Sequence, residues 1–265
     1  MGRLHNSRAG EADPGLLEGF EPSSLEGDLP VAGADGIAAF RPFGRDMPEQ
    51  RLPTISDPDA PLPDRTVERA RDLNRRGRRL DAIASLDQFL AAHPNAVEPR
   101  LVLAELLADA GEVDSALEQL GHLLELTRNA APILVRRGAL YAQSGRPQAA
   151  EADFREAIRK DASYWPAYRY LGAIRLRLGG VVEAVAVLRE ARSLAPQDPE
   201  CALYLAEALL TSGSLAEAET LLHWAVEVLP GDPRGYTLLG RLHDRLGQQE
   251  IAMTMHRKAR EVAGL

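Results

Sequence analysis

Arginine is the residue type with the most chemistry to offer in this sequence. Seven arginines fall between Arg65 and Arg79, and a polybasic stretch of this kind can bind phosphate groups. Glu68 and Asp72 are interleaved with them at helical spacing, which favours internal ion pairing on a solvated face. Binding of an anion or a nucleic acid is the alternative interpretation. The residues of that possible anion patch are Arg71, Arg75, Arg76, Arg78 and Arg79.

Catalytic and metal-binding patterns are missing from the sequence. The six histidines do not have the spacing of a metal site, and there is no phosphate-binding loop or nucleophile motif. Cys201 is the only cysteine. A helix N-terminus could lower the pKa of its thiol, but the favoured interpretation is a small packed residue. We therefore predict that the protein is not an enzyme and needs no cofactor.

Composition restricts the class of protein further. The net charge of −8 argues against a dedicated nucleic-acid binder. The chain has 29 Arg and 2 Lys, a skew that we attribute to a bacterial-like genomic composition. A single cysteine fits a reducing compartment. No run approaches the roughly 20 apolar residues of a membrane span, and no secretory or myristoylation signal is present. We therefore expect a cytoplasmic protein without a transmembrane segment.

Residues 1–62 differ in composition from the rest of the chain. They are rich in proline and glycine, with 11 acidic and 5 basic residues and no helical periodicity. Such a segment cannot bury enough apolar area to offset its chain entropy, so we predict a disordered acidic extension. Residues 16–20 and 37–43 form two apolar patches. These patches are either incidental or docking segments, for a partner or for the rest of the chain.

A period of 34 residues organises the remaining chain, from residue 63 to residue 265. Three series of small residues share this step, which chance does not explain. Glycine forms the first series, at Gly77, Gly111, Gly145, Gly179, Gly213 and Gly247. Alanine forms the second, at Ala82, Ala116, Ala150, Ala184, Ala218 and Ala252. The third mixes both, at Ala70, Ala104, Gly138, Gly172, Ala206 and Gly240.

Each unit of this period predicts a pair of helices. In the unit 165–198, two segments with apolar residues three and four apart flank Gly179. Pro166 suits a first helical turn, and Gly179 can take the left-handed conformation that ends a helix. Gly172 and Ala184 lie where the two helices must approach closely. One such hairpin cannot bury its apolar face alone, but a stack of hairpins can.

This period, with small residues at fixed positions, resembles the tetratricopeptide repeat. The resemblance implies an all-α, right-handed solenoid of six helix-turn-helix repeats that acts as a non-catalytic protein-binding scaffold or adaptor. We place the repeats at 63–96, 97–130, 131–164, 165–198, 199–232 and 233–265.

The resemblance also implies a binding groove. In that family the first helices of the hairpins line a concave groove, which holds an extended peptide or a partner helix. With Trp165 as position one of its repeat, the lining comes from positions two, five, six, nine and thirteen. Carried over, the groove residues are Arg136, Arg169, Tyr170, Ala173, Arg177, Leu203, Tyr204, Glu207, Leu238, Arg241 and Arg245.

These residue types suit a partner that carries acidic and apolar groups, since arginine binds carboxylates and tyrosine supplies rigid contact area. The alternative is that Tyr170 and Tyr204 only pack between adjacent first helices. One subset of the family clamps the C-terminal carboxylate of chaperone peptides. Of its five positions only Arg136 matches, so we do not expect that clamp here.

Two further hypotheses remain open. The alternative function is an RNA- or anionic-surface-binding regulator that uses the arginine-rich first repeat, and its binding would weaken steeply with salt. Self-association through the C-terminal repeat is a second hypothesis, because Ile251, Met253, Met255 and Val262 cannot all face the preceding repeat.

Overall fold

The computed structural model describes residues 63–128 and 130–264. The predictions about the N-terminal extension and its two apolar patches lie outside these residues. Twelve helices and no strand occupy the described part of the chain. The first helices of the six hairpins are α1 (Pro63–Arg75), α3 (Val97–Asp109), α5 (Ala131–Gln143), α7 (Trp165–Arg177), α9 (Pro199–Ser212) and α11 (Pro233–Arg245). The second helices are α2 (Arg79–Ala92), α4 (Val113–Leu126), α6 (Pro147–Lys160), α8 (Val181–Leu194), α10 (Leu215–Val228) and α12 (Gln249–Ala263).

Glycine makes the turn inside every hairpin. The six glycines of the first series have φ between +73° and +88°, the left-handed region in which a Cβ is unfavourable. No atom lies within 4 Å of where a Cβ would stand at Gly179. Glycine is therefore required at this position by the backbone conformation and not by a lack of space.

Lack of space explains the third series. A Cβ added to Gly172 would lie 2.3 Å from Cγ of Leu188, and one added to Gly138 would lie 2.6 Å from Cε1 of Phe154. The two helices of a hairpin therefore meet at this position, and only a small residue lets α7 approach α8 this closely. The predicted close approach is confirmed.

The hairpins stack in sequence order. Each first helix after α1 packs against the second helix of the preceding repeat, and neighbouring first helices also touch. The weakest junction joins repeats two and three, where α3 and α5 hardly touch. Leu123 replaces a small residue just before this junction and is fully buried. The all-α repeat architecture predicted from the period is confirmed.

Candidate protein-binding surface

The groove face is defined here as positions two, five, six, nine and thirteen of the first helices. The structure buries most of its predicted members, and these are Arg136, Arg169, Tyr170, Ala173, Leu203, Tyr204, Glu207 and Leu238. Arg241 is partly buried, whereas Arg177 and Arg245 are exposed. Buried arginine and glutamate side chains need partners, because an unpaired charge is costly away from water.

Arg169 lies at the centre of the groove face and is only 2% exposed. Its guanidinium carbon lies 5.2 Å from the ring centroid of Trp165 and 4.9 Å from that of Tyr170. Its Nη1 lies 3.8 Å from Oδ1 of Asp198, the N-cap residue of α9. Burial alone would lower the pKa of Arg169, but Tyr170 and Asp198 outweigh it and raise the pKa. The guanidinium therefore stays charged inside an aromatic and acidic cage.

Two tyrosines connect the arginines of successive repeats. Burial raises the pKa of Tyr164 to about 12, while the nearby charges of Arg136 and Arg169 act to lower it. Burial likewise raises the pKa of Tyr204 to about 12, against the opposing effect of Arg169 and Arg234. Arginines from two first helices thus act electrostatically on each tyrosine. Arginine and tyrosine side chains therefore recur along the groove face from α5 to α11.

Tyr170 makes a second contact that fits the packing alternative. Its ring stacks on Phe154 of α6, with the centroids 5.5 Å apart and the rings 17° from parallel. The same tyrosine thus packs against the preceding hairpin with one face and borders the Arg169 guanidinium. Packing and a role in the groove face coexist in this side chain.

Ion pairs join the same positions of repeats five and six. Arg241 and Glu207 both occupy position nine, and their charged atoms lie 3.5 Å apart. Arg234 and Glu200 both occupy position two, and Arg234 donates a hydrogen bond to Glu200. Asp232 also accepts from Arg234, at 2.6 Å. The sequence analysis missed the Glu200–Arg234 pair, although position two already belonged to the groove and could have revealed it.

The surroundings of Glu207, the acidic member of the position-nine pair, disfavour its ionised form. Burial raises the pKa of Glu207, and Arg241 only partly opposes that effect. Glu105 in α3 shows the same balance, since burial raises its pKa and Arg136 acts to lower it. The Arg136–Glu105 distance is 3.8 Å. This pair spans the weakest junction of the stack, between α3 and α5.

The two exposed arginines of the groove face occupy position thirteen and cap other helices. Nη1 of Arg177 donates to the carbonyl oxygen of Ala142, at 3.4 Å. Arg245 donates in the same way to the carbonyl oxygen of Leu210. Each carbonyl belongs to the last turn of the preceding first helix, and that of Leu210 also accepts from the backbone N–H of Gly213. A cation there also complements the helix dipole.

Four of the five arginines of the possible anion patch face nearby carboxylates, and Arg79 faces a backbone carbonyl. Arg76 pairs with Asp72 at 2.8 Å and Arg78 with Asp81 at 2.6 Å, both within one hairpin. The other contacts are Arg75 with Asp72 at 3.6 Å, Arg71 with Glu98 at 3.5 Å, and Arg79 with the carbonyl oxygen of Asp109 at 2.7 Å. Exposed pairs of this kind contribute only ~0–1 kcal/mol each.

The described residues offer little reactive or metal-binding chemistry. Cys201 is buried behind the N-cap Asp198, and burial raises the pKa of its thiol far above the ordinary value. A neutral buried thiol is a poor nucleophile. Across residues 63–128 and 130–264, no three His, Cys, Asp or Glu side chains are grouped as metal ligands would be. No helix in the same residues has the length and apolar character to cross a membrane.

Comparisons with known proteins identify the family. Family models described as "Tetratricopeptide repeat" match residues 73–134, 135–199 and 175–242. The chain therefore belongs to the tetratricopeptide repeat family, whose members are in general non-catalytic scaffolds. The repeats support a protein-interaction scaffold as the general role of this chain.

One curated relative is the cellulose synthase operon protein C of Xanthomonas axonopodis pv. citri (strain 306). It is 29% identical over 179 residues, which make up 64% of this chain. The chain spans only 11% of that relative's length. The match thus relates a run of repeats to part of a much larger protein.

Solved structures show the same fold at low identity. The pilF protein of Pseudomonas aeruginosa is 19% identical with a TM-score of 0.64, and the match covers 75% of this chain and 90% of that one. YrrB, described as a TPR protein with an unusual peptide-binding site, is 23% identical with a TM-score of 0.52. That match covers 67% of this chain and 91% of YrrB.

Proposed function

We propose that this protein is a scaffold that binds an acidic, partly apolar segment of another protein along the groove face of repeats three to six. The observation that carries the proposal is the continuity of arginine and tyrosine side chains from α5 to α11. Tyr164 lies close enough to Arg136 and Arg169, and Tyr204 to Arg169 and Arg234, for these charges to act on the tyrosine pKa values. A segment that carries both carboxylates and apolar side chains complements such a surface.

The position-thirteen arginines offer the most direct test because their side chains are exposed. We propose Arg177→Gln together with Arg245→Gln, which removes two charges and keeps a polar side chain at each position. Arg189→Gln in α8 is the matched control, since Arg189 is 55% exposed and pairs with Glu217 away from the groove positions. The probe is a fluorescein-labelled acidic peptide selected from 12-residue sequences of Asp, Glu, Leu and Phe.

Fluorescence anisotropy of the full chain should give a dissociation constant about tenfold or more higher for the double variant, with the control variant equal to the wild type. A probe in which Lys replaces every acid should not bind. Equal affinity of the double variant and the control would show that the position-thirteen arginines do not belong to the binding site. Failure of every acidic peptide to bind would contradict the acidic character of the partner.

The arginine-rich first repeat does not lead us to propose RNA or an anionic surface as the ligand, since its arginines face local carboxylates and Asp72 serves two of them. Titration with a single-stranded RNA between 50 and 200 mM salt checks this point. Affinity that falls steeply with salt would restore the alternative. We keep the cytoplasm as the proposed location, on the basis of the single cysteine, Cys201.

The C-terminal repeat is only a weak candidate for self-association. In α10, Leu215, Trp224 and Val226 pack in the apolar cluster shared with α11. The residues 34 positions later in α12 are Gln249, Lys258 and Arg260. This side of α12 is therefore polar, although Met253 is 66% exposed. Sedimentation of the full chain over a concentration series would detect any dimer.

A further inference from the structure

The groove face is buried at its centre and open at its first repeat. In repeat five, Leu203 is 3% exposed, Tyr204 5% and Glu207 7%. In repeat one, Glu68 and Arg71 occupy positions six and nine and are exposed. Side chains with a polar end normally keep that end in water when a groove is open. The burial of a glutamate and a tyrosine at groove positions thus indicates a covered surface.

The side chains at the centre of the groove face determine which kind of segment could cover it. Leu203, Tyr204 and Leu238 provide an apolar area, and Glu207 and Glu200 lie beside it as buried acids. Burial raises the pKa of Glu207 even though Arg241 lies 3.5 Å from it, so a second cation close to Glu207 would be favourable. The arginines of repeats three and four lie farther along the same face. A segment that fits this surface therefore has apolar side chains on both sides of a cation, and acidic residues further along the chain.

One stretch of this chain has that order of residues. Residues 38–49, named here the phenylalanine segment, read AAFRPFGRDMPE and lie outside the described residues. Phe40 and Phe43 flank Arg41, and Asp46 and Glu49 follow. Its two prolines favour an extended backbone, which is the form that a groove between helices accommodates.

We propose that the phenylalanine segment occupies the centre of the groove face in the same molecule and must leave before a partner binds. This inference rests on the proposed function, because it makes the segment a competitor for the same surface. Twenty residues separate Phe43 from Pro63, and a chain of that length spans up to ~66 Å. Helices stack at ~10 Å, so repeat five lies within reach of the tether. A tether of this kind gives an effective concentration on the order of millimolar.

Photocrosslinking of the full chain tests the contact directly. The photoreactive residue p-benzoylphenylalanine replaces Phe40, and mass spectrometry maps the products after irradiation. We expect products of monomer mass joined to α7, α9 or α11. Attachment to second helices such as α12, or products of twice the mass, would overturn the proposal. The same residue in place of Phe89 serves as the control for the photochemistry, so an absence of product at residue 40 alone would also overturn it.

Competition provides the second test. A full chain with Phe40→Ser and Phe43→Ser should bind a fluorescein-labelled peptide of residues 38–49 about tenfold or more tightly than the wild type does, because the internal competitor is weakened. Phe20→Ser is the matched control and should behave as the wild type. Equal affinity of the wild type and the double variant would contradict internal competition.

The acidic probe of the proposed function separates the two proposals. If the acidic probe binds the wild type and the Phe40→Ser, Phe43→Ser variant equally, the internal contact is wrong and the scaffold function stands. If photocrosslinking succeeds while no acidic probe binds either chain, the internal contact stands and the acidic partner is wrong.

Discussion

Arg75 in α1 and Arg177 in α7 occupy the same position of their repeats but make different contacts. Arg75 lies 3.6 Å from Asp72, one turn earlier in its own helix, and is 76% exposed. Arg177 donates to the carbonyl oxygen of Ala142 in the preceding repeat. In the described residues α1 has no helix before it, and Arg75 pairs within its own helix. Inside the stack, arginine at this position joins two repeats.

The same difference separates the two groups of arginines that the sequence offered for binding. In the first repeat, charges of both signs lie close together on an exposed surface and largely neutralise one another. In repeats three to six, arginines pair across repeats and lie among tyrosines. A dense run of arginines is therefore a weaker sign of a binding surface than arginines spaced by the repeat.

Removal of Arg169 should have the largest effect on stability. Arg169→Ala leaves Asp198 without its cation and removes the guanidinium from the rings of Trp165 and Tyr170. We expect the free energy of unfolding in urea to fall by about 3 kcal/mol, the lower end for breaking a buried pair. Arg75→Ala should change it by less than ~0.5 kcal/mol. Similar losses of unfolding free energy for the two variants would contradict the difference between the first repeat and the inner repeats.

A smaller, pH-dependent effect is expected at Glu207. Because burial raises its pKa in the folded state, the folded state binds this proton more tightly than the unfolded state does. The resulting stabilisation is complete below the unfolded pKa of about 4.5 and is lost as the pH rises through the folded pKa.

The variant Glu207→Gln removes this titration. The difference in unfolding free energy, wild type minus variant, should therefore decline as the pH rises above 4.5, and urea unfolding at several pH values measures it. Glu227→Gln in α10, at an exposed position, controls for the substitution itself. A difference that rises with pH would show that Arg241 outweighs burial.

The sequence alone predicted the fold because the period is encoded in residues with strict steric roles. Gly179 is required by its positive φ and Gly172 by the proximity of Leu188, and both constraints act within one hairpin. The same reasoning could not identify the contacts between residues of different repeats. Whether Arg234 reaches Glu200, or Arg177 reaches Ala142, depends on the spacing between first helices and on side-chain rotamers. The period alone does not determine either.

Burial was the other property that the sequence did not reveal. Arg169 is a charged residue at a groove position, which suggested exposure, yet it is among the most buried side chains in the described residues. Its cage combines Tyr170 from its own helix with Asp198 from the loop before α9. The pattern of residues along α7 alone cannot predict a cage that also includes the loop before α9.

Hydrogen exchange with and without the acidic probe peptide tests the central claim most directly, because it locates the binding surface in the full chain without any substitution. The account predicts that the probe slows amide exchange in α5, α7, α9 and α11 and leaves α1 and α2 unchanged. Protection confined to α1 and α2 would contradict it, and would place the binding surface in the arginine-rich first repeat.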